Sequence, residues 1–142
     1  MRLRFSRTAD YGLRAALEVA RVGGAGLVTR RELADATGAP PSVLAQALAS
    51  LVRGGLLDAT AGPRGGYRLA RPPEDISVRE VMLAIDPQDP EPDCVLRERP
   101  CDPGAFCPFH AFLTDAQERF LESLDASSLA DVLAGTGFGA TR

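Results

Sequence analysis

The chain has no tryptophan and no lysine, and its 142 residues include one histidine, two tyrosines and three cysteines. Each scarcity removes a class of explanation. All sixteen basic residues are arginines, so Gly62-Pro63-Arg64-Gly65-Gly66 lacks the Lys-Ser/Thr that a nucleotide phosphate loop requires. No carboxylate pair or nucleophile–base motif is present to suggest an enzyme. No uninterrupted apolar run approaches the length of a membrane span. The opening Met1-Arg-Leu-Arg-Phe-Ser-Arg7 leads into no apolar h-region, so a secretory leader is not expected. These absences predict a cytoplasmic protein without a membrane partner, in a compartment where thiols stay reduced. The hydrophobic fraction of 45% is ordinary for a globular chain. A chain of this size buries roughly two-thirds of its unfolded surface, enough for one domain with an appendage.

The few cysteines are not scattered. Cys94, Cys101 and Cys107 fall in one window that ends at His110, the sole histidine. Six residues separate the first pair, five the second, and two separate Cys107 from His110. Three thiols cannot all pair within one chain. A single free cysteine is most often a small buried apolar residue, but three in one proline-rich, acidic loop fit that description poorly. Three Cys and a His form a complete tetrahedral zinc set. Structural zinc sites, however, usually carry a close Cys pair separated by roughly two to four residues, and this loop has none. An iron–sulfur cluster accepts wider spacing, because each thiolate reaches a different corner or iron. A cluster of two or four irons then needs a fourth ligand.

Charge divides the chain. Residues 1–71 carry a net +6 and residues 72–142 a net −9. The basic half suits an anionic polymer and the acidic half should face away from it. In that basic half, Leu13, Ala16, Leu17 and Ala20 give a helix over Thr8–Val22. Thr29 and Glu32 form a capping box for a short second helix that Gly38 closes. Pro40 and Pro41 open a third helix with the stripe Val43, Leu44, Ala47, Leu48 and Leu51. Two strands, Leu56–Thr60 and Tyr67–Ala70, flank a tight glycine-rich loop. Pro72 and Pro73 read as a linker. Beyond it, Ser77 and Glu80 cap a fourth helix. A long amphipathic helix covers Pro108–Leu124, with Phe109, Leu113, Ala116, Phe120 and Leu124 on one face. A short helix covers Ser128–Ala134.

Helix, short helix, turn, helix and hairpin is the order of a winged helix-turn-helix. The fold class expected is mainly α with a small β-hairpin wing, plus the long helix. Pro41, Ser42, Val43 and Gln46, at the start of the third helix, are small or polar enough to approach base edges, and Gln46 suits adenine. Arg64 on its thin loop suits a minor groove. Arg2, Arg4, Arg7, Arg30 and Arg31 are candidates to neutralise phosphates of double-stranded DNA. Trihelical patterns with a hairpin also serve in protein-interaction domains, and a surface arginine is usually only solvated.

Four segments together resemble one family. They are Ser6-Arg-Thr-Ala-Asp-Tyr-Gly-Leu-Arg14, Gly62-Pro-Arg-Gly-Gly-Tyr-Arg-Leu69, the three-cysteine loop, and Leu124-Asp-Ala-Ser-Ser-Leu-Ala-Asp-Val-Leu133. Over nearly its whole length the chain is similar to the winged-helix iron–sulfur transcriptional regulators typified by IscR and the nitric-oxide sensor NsrR. The resemblance implies a homodimer crossing through the long helix, with a cluster per subunit on Cys94, Cys101, Cys107 and a fourth residue. It offers two: His110, as in the IscR-like branch, or Asp10 from the partner subunit, as in the NsrR-like branch. The helix-one motif and the C-terminal motif look more like the nitric-oxide sensors. The gap between Cys94 and Cys101 departs from the family pattern by one extra residue. The implied organisation is a DNA-binding winged helix at 1–72, a helix and cluster loop at 73–107, dimerisation and short terminal helices at 108–134, and a flexible tail at 135–142. The implied function is a dimeric repressor controlled by nitric oxide, redox state or iron–sulfur status. The alternative is a cluster-free or zinc-bound regulator controlled by a partner protein.

Overall fold

The computed structural model describes residues 5–24, 26–87 and 107–135. Over these residues the chain is mainly helical, with a two-stranded antiparallel hairpin. Its hub is helix α1, Arg7–Val22, which lies against most of the other elements. Ser6 caps α1 by accepting the Ala9 N–H at 3.2 Å, and this starts the helix one residue before the expected Thr8. The buried side of α1 is built of small residues, among them Ala9, Gly12, Ala15, Ala16 and Ala20. Small residues let neighbouring helices approach closely. A methyl group on Gly12 would overlap the Ile85 side chain and lie 3.3 Å from Ala47.

Helix α2, Arg30–Thr37, begins at the Thr29–Glu32 capping box and ends at Gly38, whose φ of 67° is left-handed. After the turn, α3 spans Pro41–Arg53 with Pro40 as its N-cap. Leu33, Leu44, Leu48 and Leu51 are fully buried and join α2 and α3 to α1 in one core. Strands β1, Leu57–Thr60, and β2, Gly66–Leu69, pair from Leu57↔Leu69 to Thr60↔Gly66. Val28 adds a further bridge on the other side of β2. Its N–H donates to the Tyr67 carbonyl at 2.9 Å, and the Tyr67 N–H returns a bond at 2.8 Å. The wing is therefore tied to the segment that enters α2.

The wing turn depends on Gly65. A Cβ there would overlap the Thr60 carbonyl oxygen and come within 2.9 Å of the Gly62 carbonyl oxygen, both of them backbone. Neither atom can swing aside without opening the turn. Gly65→Ala is therefore expected to destabilise the protein by about 1–3 kcal/mol. Thermal unfolding measures this, and a melting temperature equal to wild type would refute the turn geometry.

The Pro72–Pro73 segment is not an open spacer. It forms a single 3₁₀ turn over Pro73–Asp75, and Ile76 behind it is fully buried. Helix α4, Val78–Ile85, follows from the Ser77–Glu80 capping box. Helix α5, Pro108–Asp125, and the short α6, Leu129–Leu133, complete the described elements. The Val78 N–H donates to the Ser127 carbonyl at 2.8 Å, and the Leu129 N–H donates to the Ile76 carbonyl at 2.9 Å. Leu129 is thereby inserted beside Ile76 and Val81 in the core that holds α1–α3. One core thus runs across residue 72. A smaller cluster of Ala9, Val78, Met82 and Leu124, flanked by Phe5 and Leu121, seats the C-terminal end of α5. Among the described residues no helix is long and apolar enough to cross a membrane. The expected flexible tail, apart from Gly135, lies outside the described residues.

Candidate functional site

The N-terminal part of α3 carries the residues expected to approach DNA. Leu44, Ala47, Leu48 and Leu51 face the core, so the opposite face of α3 is free. Pro41, Ser42 and Gln46 are exposed and Val43 is half-buried. Arg30 and Arg31 are exposed in the first turn of α2, Arg7 is exposed at the start of α1, and Arg64 is exposed at the wing tip. Arg2 and Arg4 lie outside the described residues.

The structure brings one of these arginines directly to the wing. Arg30 Nη2 donates to the Tyr67 hydroxyl at 3.0 Å. Nearby, the Thr29 backbone N–H and hydroxyl both donate to Glu32, at 2.7 and 3.0 Å. These bonds, the backbone one foremost, hold the Glu32 carboxyl below its ordinary range. Sequence reasoning did not single out Tyr67. Its position after Gly65-Gly66 marks it as a strand residue, and nothing local shows that Arg30, 37 positions earlier, meets it.

Of the candidate cluster ligands, Cys94 and Cys101 lie outside the described residues. Cys107 is a free, half-buried thiol at the N-cap of α5, and its side chain makes no hydrogen bond capping that helix. His110 is exposed in the first turn of α5, and Asp10 is exposed in the first turn of α1. Among the described residues no three His, Cys, Asp or Glu side chains gather as a metal-binding group. The donor chemistry still fits an iron–sulfur cluster. One thiol stands uncommitted at a helix start, and the two others lie within the thirteen residues before it.

A residue that sequence reasoning missed frames the entrance to the cysteine loop. Asp86, at the end of α4, accepts the Ser6 N–H at 2.8 Å. The chain entering the loop is thus fastened to the start of α1, and the chain leaving the loop begins α5 at Cys107. No local pattern reveals a bond between positions 80 residues apart.

Comparison with known proteins converges on this architecture. Residues 5–135 match the Rrf2 family, described as an iron-dependent transcriptional regulator. The HTH-type transcriptional regulator IscR of Aliivibrio salmonicida is 32% identical over 123 residues, covering 87% of this chain and 73% of the relative. The T. potens IscR structure superposes with a TM-score of 0.75 at 26% identity, covering 99% of this chain and 92% of that one. CymR, the global cysteine regulator of B. subtilis, has the same fold, with a TM-score of 0.78 at 23% identity over 95% of this chain and 99% of that one. The chain belongs to the Rrf2 family, whose members are DNA-binding transcriptional regulators and not enzymes.

Proposed function

We propose that this regulator is a homodimeric repressor whose affinity for its DNA operator is set by an iron–sulfur cluster on Cys94, Cys101 and Cys107. The observation that carries the reading is Cys107, a free, half-buried thiol placed where the cysteine loop becomes α5. When bound, such a cluster supplies a centre that nitric oxide, oxygen or iron depletion can alter. Asp10 of the partner subunit is the fourth ligand, and His110 is the competing candidate. Asp10 is favoured because ligation from α1 would join the loop to the helix that supports α3 and the wing. This choice aligns the chain with the nitric-oxide sensors.

On the DNA side, Arg30 and Arg31 meet phosphates, Pro41, Ser42, Val43 and Gln46 approach base edges, and Arg64 enters a minor groove. Arg2 and Arg4, outside the described residues, add two positive charges for phosphates. The route between the two sites follows the chain's own contacts. The loop is anchored at Asp86 on the Ser6 N–H, and α1 packs on α3 and β2. A rearranged loop therefore pulls on the helix against which the reading head is braced. A coupling of about 1–3 kcal/mol corresponds to roughly a 5–150-fold change in operator affinity.

The test is an anaerobic titration of a labelled operator, selected by the purified protein from a random-sequence pool. The protein is compared before and after chelator treatment strips its iron. At least about a 5-fold difference is expected. Equal affinity in the two states would overturn control by the cluster while leaving DNA binding intact.

A further inference from the structure

We infer that Tyr67 is a positioning residue of the DNA interface, which holds the Arg30 guanidinium as a preset phosphate clamp at the seam between the wing and the helix-turn-helix. The inference rests on the DNA-binding reading given above and adds a residue which that reading does not use.

The geometry begins with the backbone. Tyr67 lies in the middle of three paired segments, opposite Ala59 on β1 and bridged to Val28 on its other side. Two hydrogen bonds of 2.8 and 2.9 Å fix it against Val28, two residues before Arg30. Its ring is half-buried against the main core. The ring and backbone of Tyr67 are therefore located by packing, and the hydroxyl projects from a rigid base. Arg30 differs in being an exposed side chain with many rotamers. Its single bond to the Tyr67 oxygen, at 3.0 Å, restricts it.

The chemistry leaves both groups with capacity for an anion. A guanidinium has five N–H donors, and one of them is used here. The Tyr67 oxygen acts as acceptor in this bond, so its own O–H remains to be donated. The two groups thus offer several convergent donors to a phosphate oxygen. The start of α2 does not supply this function by itself. Its N-terminal positions are already served by Thr29, and the Glu32 carboxylate folded back on Thr29 opposes an anion there. The positive charge comes from Arg30 and its neighbour Arg31, and the Arg30 guanidinium is held by a partner outside the helix. Tyr67 is the partner in place, and the wing strand carries it. A phosphate contact built this way fixes the angle between wing and α2 on the duplex, which is the positioning role of backbone contacts.

The experiment is a double-mutant cycle on the intact protein with Tyr67→Phe, Arg30→Ala and the pair. The probe is the operator duplex selected by the wild-type protein, titrated over a range of salt concentrations. Tyr67→Phe keeps the ring and the core packing, so its melting temperature should match wild type. It is expected to weaken operator binding about 3–10-fold, the loss of one ordinary hydrogen bond at a solvent-exposed site. Arg30→Ala should lower the magnitude of the salt slope by about one. In the Arg30→Ala background, Tyr67→Phe should change affinity by less than about 2-fold, because the coupled partner is gone. Equal losses in both backgrounds would show that Tyr67 acts without Arg30 and would overturn the inference. So would unchanged affinity of Tyr67→Phe. A wild-type protein that enriches no sequence and binds no duplex would remove the DNA-binding reading and this clamp with it.

Discussion

Cys107→Ala is expected to strip iron and sulfide from the anaerobically purified protein and bleach its absorption, with little effect on folding. The Cys107 side chain makes no hydrogen bond that caps α5 and no disulfide, and its backbone bonds to α5 survive the substitution, so alanine removes the proposed ligand at little structural cost. A cluster left with two thiolates and one oxygen or nitrogen donor is expected to be lost on purification. Cys94→Ala and Cys101→Ala should behave alike. If all three single variants keep wild-type iron and sulfide, the cluster reading fails. Stoichiometric zinc without sulfide in the wild-type protein would instead favour the zinc-bound alternative. The same measurement separates the two fourth ligands. Asp10 and His110 are both exposed first-turn residues, so alanine at either costs the fold little. For Asp10 the helix-dipole contribution is about 0.3–1 kcal/mol. Asp10→Ala is expected to lower iron content and shift the spectrum, and His110→Ala to leave both unchanged. The reverse pattern would move the assignment to His110.

What could be read from the sequence was whatever is encoded locally. The capping boxes at Thr29–Glu32 and Ser77–Glu80 are self-contained four-residue devices, and the structure shows both closed. The left-handed Gly38 and the leucine stripe of α3 are local in the same sense, so the helix-turn-helix and its outward face were legible. The connections between distant segments were not. The Val28–Tyr67 bridge, the Asp86 bond to Ser6 and the return of Leu129 to Ile76 all join segments whose sequences give no sign of each other. The Pro72–Pro73 pair looks like a spacer because proline disfavours helix and sheet alike. Nothing in those two residues shows that Ile76, just beyond them, will be pinned by α6. At the candidate cluster the limit was chemical. Spacing points to thiolates for a soft metal, but nothing in the spacing chooses between Asp10 on α1 and His110 on α5 as the fourth ligand.

A double substitution, Phe109→Asp with Phe112→Asp, is expected to convert the protein from dimer to monomer. An 18-residue helix such as α5 is about 27 Å long, yet only Leu124 along it is buried. Its C-terminal end is seated by Leu124 and Leu121, and by Phe120, whose ring lies 6.0 Å from that of Phe5. Toward the N-terminal end, Phe109 and Phe112 are 45% and 66% exposed. With Leu113, Ala116 and Phe120 they follow the spacing of one helix face, and Phe109 and Phe112 belong to neither core cluster. A stripe of this kind is covered most simply by the same stripe on a second copy, as the resemblance to dimeric regulators implies. In a two-fold dimer each substitution acts twice. Burying one phenylalanine contributes about 1.5–3 kcal/mol, so four lost rings remove roughly 6–12 kcal/mol of gross association energy. Even half of that weakens dimerisation by more than about a hundredfold. Sedimentation at micromolar concentration should give twice the 15.0 kDa chain mass for wild type and the single-chain mass for the variant. Each subunit should still fold, since neither side chain belongs to its own subunit's core, but the melting temperature should fall and lose its dependence on protein concentration, because the partner no longer stabilises the folded state. Operator affinity should fall sharply as well, because a monomer can occupy only one half-site. A variant that still sediments as a dimer would place the seam elsewhere. It would also remove the argument for a ligand, Asp10, supplied across it.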